Sequence, residues 1–264
     1  MAPDAAPDDI GSIDWQGRPI TAATCVACTH AELRRTSGCA PGRSCMQDAY
    51  ARRIDRFFRT HRALAGGHLA HPYFEVRAIA ARHADLFQLP PLMQDPDETV
   101  RLQVALRVPQ RLLRMLRDDP HREVRIRVAQ RIDLDELVPM IGDPDYQVRC
   151  IAAQRLPEAL LPRLMDDSDL QVRLEAARRV AMPAMWRLLE DPAPEVRRIA
   201  AQRLPLAALS LLAGDTDWTV RWEVAERAPG PLLARLLKDP EAEVRARAAE
   251  RLAARPRPLE VLHG

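Results

Sequence analysis

Asp95-Pro96-Asp97-Glu98-Thr99-Val100-Arg101-Leu102-Gln103-Val104-Ala105-Leu106-Arg107-Val108-Pro109, running on to Asp118, is the unit from which most of this chain is built. Its Val-Arg pair returns at Val124-Arg125, Val148-Arg149, Val172-Arg173, Val196-Arg197, Val220-Arg221 and Val244-Arg245, and occurs once earlier at Val76-Arg77. Every step is 24 residues, with no insertion. A fixed period of this length marks a stacked array, in which each module buries its apolar side against its neighbours.

Inside the unit the signals repeat. Asp-Pro opens most units, at Asp95-Pro96, Asp119-Pro120, Asp143-Pro144, Asp191-Pro192 and Asp239-Pro240. The pair predicts a helix start, with Asp as N-cap and Pro in the first helical position, where its missing N–H costs nothing. Val100, Val104 and Val108 then share one stripe at i, i+4 and i+8, matched by Val124, Val128, Ile132 and by Val172, Ala176, Val180. A second column holds only alanine, from Ala81 and Ala105 to Ala225 and Ala249, small enough to let helices approach. Pro109, Pro157, Pro205 and Pro229 are expected to end the helix. Leu113 and Leu116, Leu161 and Leu164, Leu209 and Leu212, and Leu233 and Leu236 lie three apart in the short space before the next Asp. That spacing suits a 3₁₀ helix, which eclipses i and i+3, and leaves no room for a second full α-helix. The expected fold is all-α: a solenoid of eight 24-residue repeats, each one α-helix plus one short 3₁₀ segment. No alternating β-branched run predicts a sheet. The last repeat loses the pattern at Arg257 and Pro258.

Three segments are expected: a loosely ordered lead-in over 1–24, a cysteine module with a capping helix over 25–65, and the array over 66–264. The lead-in offers Trp15 and Ile20 for packing. Met46 to Arg62 reads as one amphipathic helix, with Tyr50, Ile54, Phe57 and Phe58 on one face, covering the open end of the array. Gly66-Gly67 forms the joint. No long uncharged run predicts a membrane span. The opening Met1 to Asp14 is acidic and Pro-rich, unlike a signal peptide, which places the chain in the cytoplasm with reduced thiols. The formal net charge is +2, and Lys238 is the only lysine.

Two polar columns run through the array. One holds Arg77, Arg101, Arg125, Arg149, Arg173, Arg197, Arg221 and Arg245, beside the valine stripe. A buried unpaired guanidinium would cost several kcal/mol, so each is expected to bond a carboxylate or carbonyl of an adjacent unit, the Asp of an Asp-Pro step being nearest. The other holds His83, then Arg107, Arg131, Arg155, Arg179, Arg203, Arg227 and Arg251. An internal ladder is the reading adopted for both. A phosphate-binding stripe is the alternative, disfavoured because the array's acids balance its bases.

Charge is uneven only near the cysteines. Arg34, Arg35, Arg43, Arg52, Arg53, Arg56, Arg59 and Arg62 face Glu32, Asp48 and Asp55 alone. Cys25, Cys28, Cys39 and Cys45 form a C-x2-C-x10-C-x5-C pattern broken by Gly38, Pro41 and Gly42, which argues for loops wrapped around a metal. Zinc takes four thiolates, and so does an iron–sulfur cluster. Spacing leaves both open, with disulfides as a third reading, and the arginine surplus favours a negatively charged cluster. Cys150 takes a helix position matched by Leu102, Ile126 and Leu174 and reads as a packed core residue.

Asp143 to Leu164 and Asp191 to Leu212 show the repeat nearly whole, and in this form the chain resembles the leucine-rich repeat variant family. The resemblance implies alternating α and 3₁₀ helices in a right-handed superhelix without β-structure. It also implies an N-terminal [4Fe-4S] cluster held by Cys25, Cys28, Cys39 and Cys45, with zinc as the alternative metal. Asp133 and Ala181 depart from it where Pro ends the helix, and Ser168 and Thr216 where Pro opens it, which is expected to loosen those units. No catalytic constellation or small-molecule site is evident, since the seven histidines are scattered from His30 to His263. The functional expectation is therefore a non-enzymatic, cluster-binding solenoid that meets a protein partner, with a cluster that is redox-active or structural. The alternative is a nucleic-acid protein or repair-type helical-repeat enzyme using Arg43, Arg52, Arg53 and Arg56 against phosphate.

Overall fold

The computed structural model describes residues 11–254. The loss of pattern expected at Arg257 and Pro258, the first ten residues of the lead-in and His263 lie outside that range. The chain divides into two compact units, Met1–Glu136 and Leu137–Gly264. Among the described residues there are helices but no strands, and β pairing is limited to three isolated bridges.

The first unit carries three repeat helices, Phe74–His83, Glu98–Ala105 and Arg122–Arg131, and the second carries five, Tyr146–Arg155, Leu170–Arg179, Pro194–Arg203, Trp218–Arg227 and Ala242–Ala253. In each unit the valine stripe is sealed from solvent, from Val76, Val100 and Val124 to Val148, Val172, Val196, Val220 and Val244. A fully buried side chain of this size is worth about 1.5–3 kcal/mol, so this spine adds substantially to the stability that the buried leucines and isoleucines also supply. Cys150 is buried in the same core, as its helix position predicts.

Helices begin later than the Asp-Pro steps predict. The N-cap is the residue two places on: Asp97, Asp145 and Asp217 each accept an N–H from the first turn, at 2.8–2.9 Å. The Asp of Asp-Pro ends the preceding segment instead, as Asp95, Asp143 and Asp191 do. The carboxylate is already committed. One oxygen of Asp95 accepts the N–H of Asp97 at 2.9 Å, an Asx turn, and the two together grip an arginine of the repeat before.

The second segments are 3₁₀ helices at Pro90–Gln94, Val138–Gly142, Glu158–Leu164, Ala184–Glu190 and Leu206–Leu211. Two segments open with a single α turn, Gln110–Leu113 before the 3₁₀ piece Arg114–Leu116 and Leu134–Leu137 before Val138–Gly142, and one has no 3₁₀ piece: Gly230–Leu236 is a seven-residue α-helix. In that helix Pro229 and Pro231 precede the first intrahelical bond, so no interior N–H is lost and Leu237 N–H reaches Leu233 O at 3.1 Å. Pro162, by contrast, sits inside Glu158–Leu164.

Proline does not decide where the repeat helices stop. Arg122–Arg131 and Leu170–Arg179 lack the following Pro yet are ten residues long, like Tyr146–Arg155, which has Pro157. What they share is a buried C-cap, Ile132, Leu156 or Val180, whose backbone turns extended as its side chain enters the core.

Both arginine columns tie one repeat to the next, apart from the exposed Arg245, which donates to Asp239 O and Pro240 O of its own repeat. In the first unit Arg77 makes paired bonds to Asp95 (2.7 and 2.8 Å), and Arg101 does the same with Asp119 (2.8 and 3.0 Å). In the second, Arg149, Arg173, Arg197 and Arg221 grip Asp167, Asp191, Asp215 and Asp239 in the same way. Every such pair spans 18 residues, joining one repeat to the next. The other column reaches backwards: Arg107 donates to Ala81 O and Ala84 O, and Arg227 to Ala201 O (2.6 Å) and Leu204 O (2.9 Å). These carbonyls close the preceding repeat helix, where no intrahelical donor remains and a cation is favoured. Arg227→Ala should therefore cost about 1–3 kcal/mol, read from urea unfolding; a loss below a few tenths would mean that water replaces the guanidinium.

The capping helix is shorter than expected, Ala51–Thr60 in place of Met46 to Arg62, and Arg62–His68 is 3₁₀. Asp48 interrupts it, because its carboxylate takes the N–H of Tyr50 at 2.9 Å in another Asx turn. Ile54, Phe57 and Phe58 are buried as predicted, while Tyr50 is exposed. The structure also differs from a loose lead-in over 12–24. Ser12 donates to Asp48 (2.8 Å), Asp14 is buried, and Trp15 stacks on Tyr73 with centroids 6.0 Å apart.

Candidate metal centre

Three short pieces of chain bring the four cysteines together. Thr21 and Thr24 form a capping box that starts the helix Ala22–Val26 and sets Cys25 in its last turn. Cys28 follows in a turn whose carbonyl receives Ala31 N–H at 3.0 Å. Cys39 and Cys45 flank a tight turn in which Ala40 and Ser44 exchange two backbone bonds of 2.9 Å. That turn passes through Gly42 at φ 75°, a conformation that L side chains rarely adopt.

The four thiols are free and line one cavity, which also includes Ile20, His30, Arg34, Pro41 and Gln47. Cys45 is buried and the other three are half-buried. The backbone N–H of His30 points at Cys28 Sγ (3.4 Å), and Gln47 Nε2 lies 4.0 Å from the same sulfur. Burial pushes the Cys45 thiol up to about 11, opposed by the Gln47 N–H and reinforced by Asp48, Cys28 and Cys39. Cys39 is raised by burial first, then by the neighbouring Cys28 and Cys25. Thiols crowded in this way ionise together only when a cation shares the space, which is what a metal centre supplies. The donor set, four sulfurs and no carboxylate, fits thiolate-bound metal chemistry. Among the described residues no three His, Cys, Asp or Glu side chains are grouped so as to hold a single metal ion.

The arginine surplus divides between roles. Arg34 lines the thiol cavity and lies 3.5 Å from Cys39 O. Arg53 is buried and paired with Asp48 at 3.2 Å, so it cannot serve the phosphate contact considered for it. Arg56 donates to Arg43 O at 2.7 Å, and Arg59 pairs with Asp55.

Histidines that look scattered in the sequence gather behind the cysteines. His30 and His68 share a hydrogen bond of 2.7 Å between their Nε2 atoms, and His61 Nε2 lies 2.7 Å from Gly38 O. The Phe57 ring packs between His30 and His61, with centroids 5.3 and 5.1 Å away. Two loops of the cysteine module are thereby fastened to the capping helix and the 3₁₀ segment behind it. Only the place of His30, two residues after Cys28, could have hinted at this.

Burial, and then the nearby His30 and His71, lower the His68 pKa from 6.5 to about 4. Above pH 6.5 both folded and unfolded states are neutral there. Between 6.5 and about 4 the unfolded chain takes up a proton that the folded chain refuses, so stability falls as pH falls and levels off below. His68→Gln should flatten that acid limb in denaturation curves of the metal-free protein; an unchanged slope would remove His68 as its source.

These features define a helical-repeat protein with a four-thiol module at one end of its sequence. Residues 12–67 match the family described as "LRV protein FeS4 cluster", and residues 146–169 match "Leucine rich repeat variant". A solved structure described as "a leucine-rich repeat variant with a novel repetitive protein structural motif" is 43% identical, with a TM-score of 0.83, over 86% of this chain and 97% of that one. The chain belongs to the leucine-rich repeat variant family, and its fold is that family's all-α solenoid. A curated relative, "Uncharacterized 27.7 kDa protein in nifB 3'region" of Rhodobacter capsulatus, is 43% identical over 103 residues. That match spans 39% of this chain and 41% of the relative. No helix among the described residues is long and apolar enough to cross a membrane.

Proposed function

We propose that Cys25, Cys28, Cys39 and Cys45 together hold one [4Fe-4S] cluster, and that the repeat array presents a surface to a protein partner. The observation that carries this reading is the convergence of four free thiols on one cavity, within the segment that matches the iron–sulfur family. When bound, such a cluster supplies one-electron chemistry, with a potential set by burial and by hydrogen bonds to its sulfurs. The chain contributes those controls: the His30 N–H and the Gln47 amide beside Cys28, Arg34 on the cavity wall, and the buried side at Cys45. With four cysteines committed to the metal, no position is left for substrate, so the role assigned is binding and redox sensing or transfer, not catalysis. Free thiols fit a reducing compartment, the cytoplasm.

Purification without air tests this. The expected product is brown, with about four irons and four sulfides per chain and a spectrum that bleaches on reduction. One zinc per chain and no sulfide would replace the cluster with a structural zinc site.

A further inference from the structure

We infer that the groove outside Cys25 is a docking surface for an acidic electron-carrier protein, an inference that rests on the cluster reading above. The groove, of about 550 Å³, is lined by Ile20, Ala22, Cys25, Val26, Arg34 and Pro41, with Arg35 at its edge. Ile20, Cys25, Arg34 and Pro41 also line the thiol cavity, so the two spaces adjoin. Electron exchange needs close approach to a ligand sulfur. Cys45 is buried, whereas Cys25 lines this groove.

The surface has the composition of a transient interface. Val26 is 80% exposed and lines the groove beside Cys25. Arg34 and Arg35 line the same groove and are exposed, and Arg35 pairs with Glu32 at 2.9 Å on the open surface, a contact that solvent leaves weak. An apolar centre with a cationic rim selects a protein partner with an apolar contact and an acidic border. Nucleic acid fits less well, because no aromatic ring for stacking lines the groove. The exchange is a single electron, lost by one partner and gained by the other, with no bond made or broken.

The test uses the full chain, purified without air and assayed for iron and sulfide, titrated calorimetrically with purified flavodoxin and with a plant-type ferredoxin. Binding to at least one carrier is expected, weakening as salt rises from about 0.05 to about 0.5 M. Val26→Glu and Arg35→Glu should each raise Kd about tenfold with iron content unchanged, while Arg111→Glu, on an exposed face of the array, should leave it unchanged. Iron-loaded protein that binds neither carrier, binds them regardless of Val26 and Arg35, or binds duplex DNA through the same residues would overturn the docking surface. Protein lacking iron and sulfide would instead sink the cluster reading, a distinguishable failure.

Discussion

Asp119→Ala is expected to destabilise the protein by about 3–5 kcal/mol, because it leaves the Arg101 guanidinium buried without its counter-charge. The Arg101 side chain is 10% exposed and that of Asp119 only 3%. Removing the carboxylate also frees the His121 N–H, which Asp119 accepts at 2.9 Å. The double variant Arg101→Met with Asp119→Ala should recover much of the loss, since an apolar pair of similar size avoids desolvating a charge. Glu123→Ala is the contrast. Its pairing with Arg122 leaves both side chains 40% or more exposed and should matter by less than about 1 kcal/mol. Chemical denaturation of the three variants beside the parent protein would measure this, and equal losses for Asp119 and Glu123 would refute the buried ladder.

Cys45→Ala should abolish cluster incorporation, taking iron from about four per chain to near zero, while the far-UV helical signal of the repeats persists. Cys45 is the most buried of the four thiols and the one raised to about 11, so it binds metal only through the ionisation that the metal itself drives. Cys150→Ala is the matched control: another buried thiol, also raised to about 11, but packed in the core of the second unit. Its loss should cost packing energy and no iron. Full iron in the Cys45 variant, or lost iron in the Cys150 variant, would reassign the centre.

Much of this was legible in the sequence because the contacts that matter recur. Val100 and Val124 are equivalent by count, and an arginine beside a sealed valine must find a carboxylate or carbonyl, so the Asp of an Asp-Pro step was the nearest candidate for Arg101; which step it is, Asp119, the stacking shows. The four cysteines were legible through their spacing. Contacts that occur once carry no such signal. Ser12 meets Asp48 across 36 residues, and His30 meets His68 across 38. Neither pair repeats, and both depend on how the loops close. Helix starts were misread for a related reason: Asp-Pro looks like a cap, but its carboxylate is spent on an arginine that only the stacked neighbour supplies.

The 18-residue reach from each arginine to its aspartate also constrains how such a chain can change over time. A residue inserted or deleted between Arg149 and Asp167 would break the paired bonds between them and strand two charges at once. Small changes of length are therefore excluded from these stretches. Duplication or loss of an entire module preserves every spacing, and growth by whole copies is the path this architecture leaves open.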